Sequence, residues 1–147
     1  MAKNDIHFIE ADEAIKTRVL NEWGEKTARH MHIADGFSIV ALHGEMLVGL
    51  ISIYWRELPA PLNGEFDAYI DILEVLRDFR RKGIATQLIE ISMKRAKEKG
   101  MRQIRAWSSE DKIEVIHLWK KLGFGLCPAT TYPHGEELKG YFVVRIL

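Results

Sequence analysis

Apolar positions along this chain recur with a period of two in some stretches and of about 3.6 in others. Ile6 to Glu10 alternates and predicts a strand. Asp12 then stands as an N-cap before Ala14, Ile15, Val19, Leu20 and Trp23, which repeat at helical spacing up to Gly24. The polar run Glu25 to Asp35, with Ala28, Met31 and Ile33, predicts a second short helix closed by Asp35-Gly36. Phe37 to Leu42 and Met46 to Trp55 read as strands joined by the turn His43-Gly44-Glu45. Arg56 to Gly64 carries two prolines and Asn63-Gly64 and reads as a surface loop, either an acceptor-side lid or a plain connector.

Ala68 to Val75 predicts a strand with apolar residues on both faces. By alternation Asp71 shares a face with Leu73 and Val75, and Glu74 lies opposite with Ile72. After the turn Arg80-Arg81-Lys82-Gly83, Ile84 to Lys97 predicts a long helix with Ile84, Leu88, Ile91, Ser92 and Ala96 on one stripe and Gly100 as its stop. Gln103 to Trp107 predicts a strand, Ser108 to Asp111 offer N-caps, and Lys112 to Leu122 predicts a helix with Gly123 as its C-terminal cap. Strands near Phe124 to Cys127 and Gly140 to Ile146 flank a loop over Pro128 to Lys139. Strands alternating with helices, then an antiparallel end, specify an α/β fold with a mixed sheet. No repeat, low-complexity segment or composition shift divides residues 1–147, so one domain is expected.

A strand feeding a basic, glycine-bearing turn at a helix N-terminus is an anion site. The first amides of the helix lack intrahelical partners, the helix dipole adds positive charge, and Gly83 lets a phosphate approach where a Cβ would collide. Three cations in a row disfavour the helix start itself, which argues for a bound anion rather than a merely solvated turn. Neither Gly-x-x-x-x-Gly-Lys-Ser/Thr nor Gly-x-Gly-x-x-Gly occurs, so the common nucleotide loops are excluded.

Arg80-x-x-Gly83-x-Ala85 resembles the Arg/Gln-x-x-Gly-x-Gly/Ala signature of the GNAT superfamily of acetyl-CoA-dependent N-acetyltransferases. The preceding Leu73-Glu74-Val75 is similar to the family's Leu-x-Val segment, and Leu118-Trp119-Lys120-Lys121-Leu122-Gly123-Phe124 to its Leu-Tyr-x-x-x-Gly-Phe. The resemblance runs from about Ala68 to Phe124 and implies a mostly antiparallel central sheet flanked by helices. It also implies coenzyme A, with pyrophosphate on Arg80, Arg81, Lys82, Gly83, Ile84, Ala85 and Thr86, and the pantetheine arm along the backbone of Leu73 to Val75.

Acetyl transfer to an amine needs a base, an oxyanion donor and a leaving thiolate that is optionally protonated. Asp71, Glu74, Asp67 and Glu65 are the candidate bases, and Asp71 is preferred because a polyamine-acetylating branch carries a glutamate in a similar stretch. The resemblance implies the backbone N–H of Val75 as the oxyanion donor. Trp119 stands at the usual tyrosine acid, and Lys112 at an asparagine that contacts pantetheine. An indole N–H is too weak an acid for that role, so Trp119 is expected to pack against the cofactor or the core. Tyr132, Cys127 and Ser109 are the substitute donors. The departures keep a second reading open, an acyl-CoA-binding regulatory module with weak or no catalysis.

Charge narrows the partners further. Lys+Arg and Asp+Glu both number 21, which gives no support to a nucleic-acid partner. The single cysteine excludes an internal disulfide, and no signal-peptide core or membrane-length run is present, so a cytoplasmic protein is expected. Glu65, Asp67, Asp71 and Glu74 favour a cationic acceptor, a small-molecule or protein amine, unless arginines and lysines pair with them. His30 and His32 beside Glu22 and Glu25 offer part of a metal site, but nothing supplies further ligands and surface histidines are the expectation. Tyr141 to Val144 would either pair across a homodimer or close the sheet.

Overall fold

The computed structural model describes residues 5–147; Met1 to Asn4, part of the start expected to lack a signal-peptide core, lie outside the described residues. The chain runs β1 (Ile6–Glu10), α1 (Glu13–Trp23), α2 (Glu25–Ala28), β2 (Gly36–His43), β3 (Met46–Glu57) and β4 (Phe66–Val75). It continues through a 3-10 turn (Arg77–Phe79), α3 (Ile84–Glu98), β5 (Gln103–Ser109), α4 (Ile113–Lys121), β6 (Gly125–Thr131) and β7 (Leu138–Ile146). Asp12 caps α1 as its sequence position predicts, its carboxylate accepting from the N–H of Ile15 at 2.9 Å. The expected second helix is a single turn, because its polar stretch has only Ala28 and Met31 to bury. The loop predicted over Pro128 to Lys139 is shorter than expected: β6 and β7 pair from Gly125↔Val144 to Thr131↔Leu138.

The strands form one sheet in the order β1-β2-β3-β4-β5-β7-β6. Each neighbouring pair is antiparallel except β4 and β5, which are parallel. This is the mixed, mostly antiparallel sheet that the resemblance implies. β7 pairs with β5 on one side and β6 on the other, so Tyr141 to Val144 close the sheet and offer no free edge.

Two cores flank the sheet. Ile51, Ile53, Ile70, Leu88, Ile89 and Trp119 belong to the larger one, under α3 and α4. Val19, Ala28, Val40, Leu47 and Leu50 form the smaller one, under α1 and α2. The N-terminus of α3 is seated closely on β3. A Cβ at Gly49 would stand 3.1 Å from Ile84 Cγ2, 3.2 Å from Ala41 Cβ and 3.3 Å from Leu88 Cδ1. Gly49→Val is therefore expected to overpack this contact and cost about 1–3 kcal/mol, read from the denaturant midpoint. An unchanged midpoint would mean that α3 shifts freely.

Two features of β4 position everything that follows. β4 and β5 are joined only at Ala68↔Ile104 and Tyr69↔Arg105, and beyond Tyr69 they part. On its other side β4 pairs Ile70 with Ile53 and Ile72 with Ser52, so Asp71 has no partner of its own and forms a β-bulge. Ile72 consequently packs on the smaller core, while Leu73 and Val75 pack on the larger. Asp71 lies on the α1–α2 side, against His30 and His32. Simple alternation, which gave Asp71 the face of Leu73 and Val75, fails at the inserted residue.

Candidate active site

Where β4 and β5 part, a cleft of about 660 Å³ opens between the end of β4, the turn before α3, and α4. Leu73, Glu74, Val75, Arg80, Arg81, Gly83, Ile84, Ala85, Thr86 and Lys112, all singled out from the sequence, line it. Arg81 has φ 62° and Gly83 φ 81°, and the first helical backbone bond, from the Gln87 N–H, goes to the Gly83 carbonyl. The amides of Ile84, Ala85 and Thr86 thus have no helical partner. No side chain caps Gly83 and no acidic residue occupies the first turn of α3, so the helix itself does not offset its positive end. A Cβ at Gly83 would meet no atom within 4 Å, so the turn has open space in front of it. Arg81 reaches across the cleft to Glu114 at 2.8 Å, and this hydrogen bond holds the Glu114 carboxyl below its usual range.

The backbone of β4 is open toward the cleft. The Leu76 N–H donates to the Val48 carbonyl at 2.9 Å, so antiparallel alternation turns the N–H groups of Val75 and Leu73 away from β3, toward the space that β5 has left. The Val75 carbonyl on that side accepts from Arg80 Nε at 2.9 Å. Arg80 thereby ties the turn to the strand, and the Val75 N–H faces the cleft.

At the bulge, Asp71 Oδ2 lies 2.8 Å from His32 Nε2 and 3.3 Å from His30 Nδ1. His32 Nδ1 lies 3.0 Å from Asp35 Oδ2. Both carboxylates only accept, so the His32 ring serves both when each nitrogen carries a proton. Its ring stacks on Tyr54 at 4.8 Å, and its backbone N–H donates to the buried Ser52 Oγ at 2.8 Å. The expectation of surface histidines is therefore corrected: the His32 side chain is 16% exposed, and His30, at 42%, is the solvent end of the cluster. The His-x-His spacing was visible in the sequence, but the contact to Asp71 crosses about forty residues of chain. Among the described residues, no group of three or more His, Cys, Asp or Glu could hold a metal ion.

The other carboxylates separate. Asp67 is fully buried, with Arg56 Nε at 3.6 Å and Arg105 Nη1 at 3.5 Å, so it serves these cations and is no base. Glu65 lies beyond the far end of β4, whereas Glu74 is exposed and lines the cleft. Of the acidic residues read from the sequence, Asp67 is thus neutralised by arginines, while Glu65 and Glu74 stay exposed and Asp71 is partly exposed.

Of the two places expected for Trp119, the cofactor or the core, it takes the core. It is 2% exposed, packs on Phe124 at 4.8 Å between ring centroids, donates its Nε1–H to Ser108 Oγ at 2.8 Å, and does not line the cleft. A large apolar ring on the inner stripe of α4 goes to the core, which takes Trp119 out of the cleft wall. Lys82 also lies off the cleft lining. Among the substitute donors, Tyr132 and Cys127 are exposed, Ser109 donates to Asp111, and none of the three lines the cleft. Trp119→Phe removes the donor to a buried hydroxyl and is expected to cost about 1–3 kcal/mol in chemical denaturation. Its acetyl-CoA response should be unchanged, and a lost response would contradict the core assignment.

The comparisons with known proteins bear on the fold and the family. No curated protein sequence matches the chain significantly. Among solved structures, Arabidopsis thaliana NAA60 in complex with acetyl-CoA superposes with a TM-score of 0.74 at 17% identity, covering 97% of this chain and 99% of that one. Arabidopsis thaliana Naa50 with the bisubstrate analogue CoA-Ac-MVNAL gives a TM-score of 0.73 at 19% identity, covering 96% and 98%. A GNAT family acetyltransferase from Elizabethkingia anophelis with acetyl-CoA bound gives 0.70 at 17%, covering 98% and 99%. At these identities the likeness is one of fold. The family model for the acetyltransferase (GNAT) family matches residues 5–124, most of the chain and all of the cleft, and the protein belongs to that family.

Proposed function

We propose that the protein transfers an acetyl group from acetyl-CoA to a primary amine by direct attack, with Asp71 as the base. One observation carries this reading: a carboxylate held by two histidines stands at the bulge of β4, outside the cleft lining and four residues before a backbone N–H that faces an open, anion-ready cleft. The cofactor fits the residues present. The unpaired amides and open space at Gly83, with Arg81 beside them, would hold the pyrophosphate, and the Leu73 and Val75 backbone would take the pantetheine arm as an added strand. Lys112, at the N-terminus of α4, lines the opposite wall.

Bound there, acetyl-CoA supplies an activated thioester: the amine nitrogen forms the C–N bond, the C–S bond breaks, and the thiolate leaves. Both histidine contacts are to Asp71 Oδ2, which leaves Oδ1 to take the proton from the amine. The Asp71 side chain is itself partly exposed, so Oδ1 returns that proton to solvent. The Val75 N–H donates to the oxygen on which negative charge develops. No acid is needed, since a thiolate is a tolerable leaving group near neutral pH. The structure gives a second reading some support: the one indole N–H at the usual tyrosine position is committed to Ser108, as suits a module that binds acyl-CoA without turnover. Free thiol release separates the two. Release that requires an amine supports the transferase, and binding without release supports the module.

A further inference from the structure

On the same face as Asp71, toward the far end of β4, two arginines share one carboxylate. Asp67 is fully buried, and its Oδ1 has no hydrogen-bond partner among the described residues. Arg56 Nε lies 3.6 Å from Oδ1, and Arg105 Nη1 lies 3.5 Å from Oδ2, where Gln103 Nε2 also donates at 3.2 Å. One buried anion faces two cations, so a positive charge is left over. Each guanidinium has five N–H donors. Their contacts to Asp67 are long and single, so most of those donors have no acceptor among the described residues.

The two guanidiniums are also held in place. Arg56 lies 4.3 Å from the Tyr69 ring centroid, and Arg105 lies 5.8 Å from that of Phe142. Their side chains are 27% and 26% exposed, enough to reach a ligand but too shielded for solvent to screen them fully. Phe142 packs edge to face on Trp107 at 5.1 Å, and neither ring belongs to the two cores. A preorganised guanidinium with free donors above an aromatic platform matches a carboxylate.

Distance ties this pair to the chemistry. Arg105 is the Cα partner of Tyr69, and Asp71 follows two residues along β4, roughly 7 Å further. The phenol of Tyr69, pushed above its ordinary pKa chiefly by burial, feels Arg56, Asp71, Arg105 and Tyr54. One side chain therefore separates the arginine pair from the proposed base.

We infer that the acceptor is a small amine that also carries a carboxylate, an amino-acid-like molecule whose acid docks on Arg105 and Arg56 while its amine meets Asp71. This rests on the transferase reading and narrows its substrate class, against the polycationic acceptor that the acidic residues alone suggest. The test uses matched amines that differ only in the acid: 4-aminobutyrate against butylamine, phenylalanine against phenethylamine, with spermidine as the polycation. The acid-bearing member of at least one pair should show kcat/KM higher by about tenfold or more, mainly through KM, as expected for a charge-assisted contact. Arg105→Gln should erase that preference, bringing the ratio of kcat/KM between the acid-bearing and neutral amines to about one, with the acetyl-CoA thermal shift as the check that the variant is folded. Arg105→Lys keeps Asp67 neutralised if the glutamine variant folds poorly, and should lose most of the preference with the fork. Equal rates within both pairs, or a preference for spermidine, would overturn the inference and leave the transferase standing. A protein that binds acetyl-CoA and acetylates none of these amines would overturn both.

Discussion

Gly83→Glu is expected to abolish the stabilisation that acetyl-CoA gives the protein. In the native chain a ligand at a hundred times its dissociation constant contributes about 2.7 kcal/mol, a rise of several degrees in Tm. The expectation rests on three features of one turn. Gly83 has φ 81°, a Cβ there would find open space, and the amides that follow have no capping side chain. A glutamate would put its carboxylate where a phosphate must lie. The substitution also forces a left-handed conformation on a residue with a Cβ, at a cost of roughly 1–2 kcal/mol, so the ligand-induced shift must be compared rather than Tm itself. Gly83→Ala carries the same backbone strain without the charge and should keep most of the shift. If Gly83→Glu responds to acetyl-CoA as the native protein does, the phosphate is not at this turn.

Asp71→Asn should leave that thermal shift intact and lower the amine-dependent rate by about 10²–10⁴, the usual contribution of a positioned base. Asparagine keeps the shape of the bulge and one acceptor oxygen for the histidines, so the fold should survive. His32→Gln should cost less than Asp71→Asn, because the ring orients the carboxylate and does not meet the amine. A variant that lost the acetyl-CoA response along with turnover would show that Asp71 builds the cleft rather than performs the chemistry.

What the sequence could and could not foretell divides along one line. The anion turn was legible because its parts are contiguous: strand, basic run, Gly83 and helix start fall within some fifteen residues, and local conformation assembles them. The α1 cap at Asp12 and the hairpin at Gly44 were legible for the same reason. The face of Asp71 was not, since a bulge is set by pairing with Ser52 and Ile53 on another strand and leaves no period in the sequence. The partnership of His30 and His32 with Asp71, and of Arg56 and Arg105 with Asp67, likewise depends on which strands become neighbours. Trp119 was half legible: its motif position and its chemistry left the cofactor and the core both open, and its size and its place on α4 sent it to the core.

The most direct test of the account is to quantify free coenzyme A and acetylated amine in one reaction, using the native protein, acetyl-CoA and the matched amines. The proposed chemistry predicts that both products appear together, about one for one, and that neither forms without an amine. Thiol without amide would mean hydrolysis, and bound acetyl-CoA with neither product would mean that this protein binds the cofactor without transferring its acetyl group.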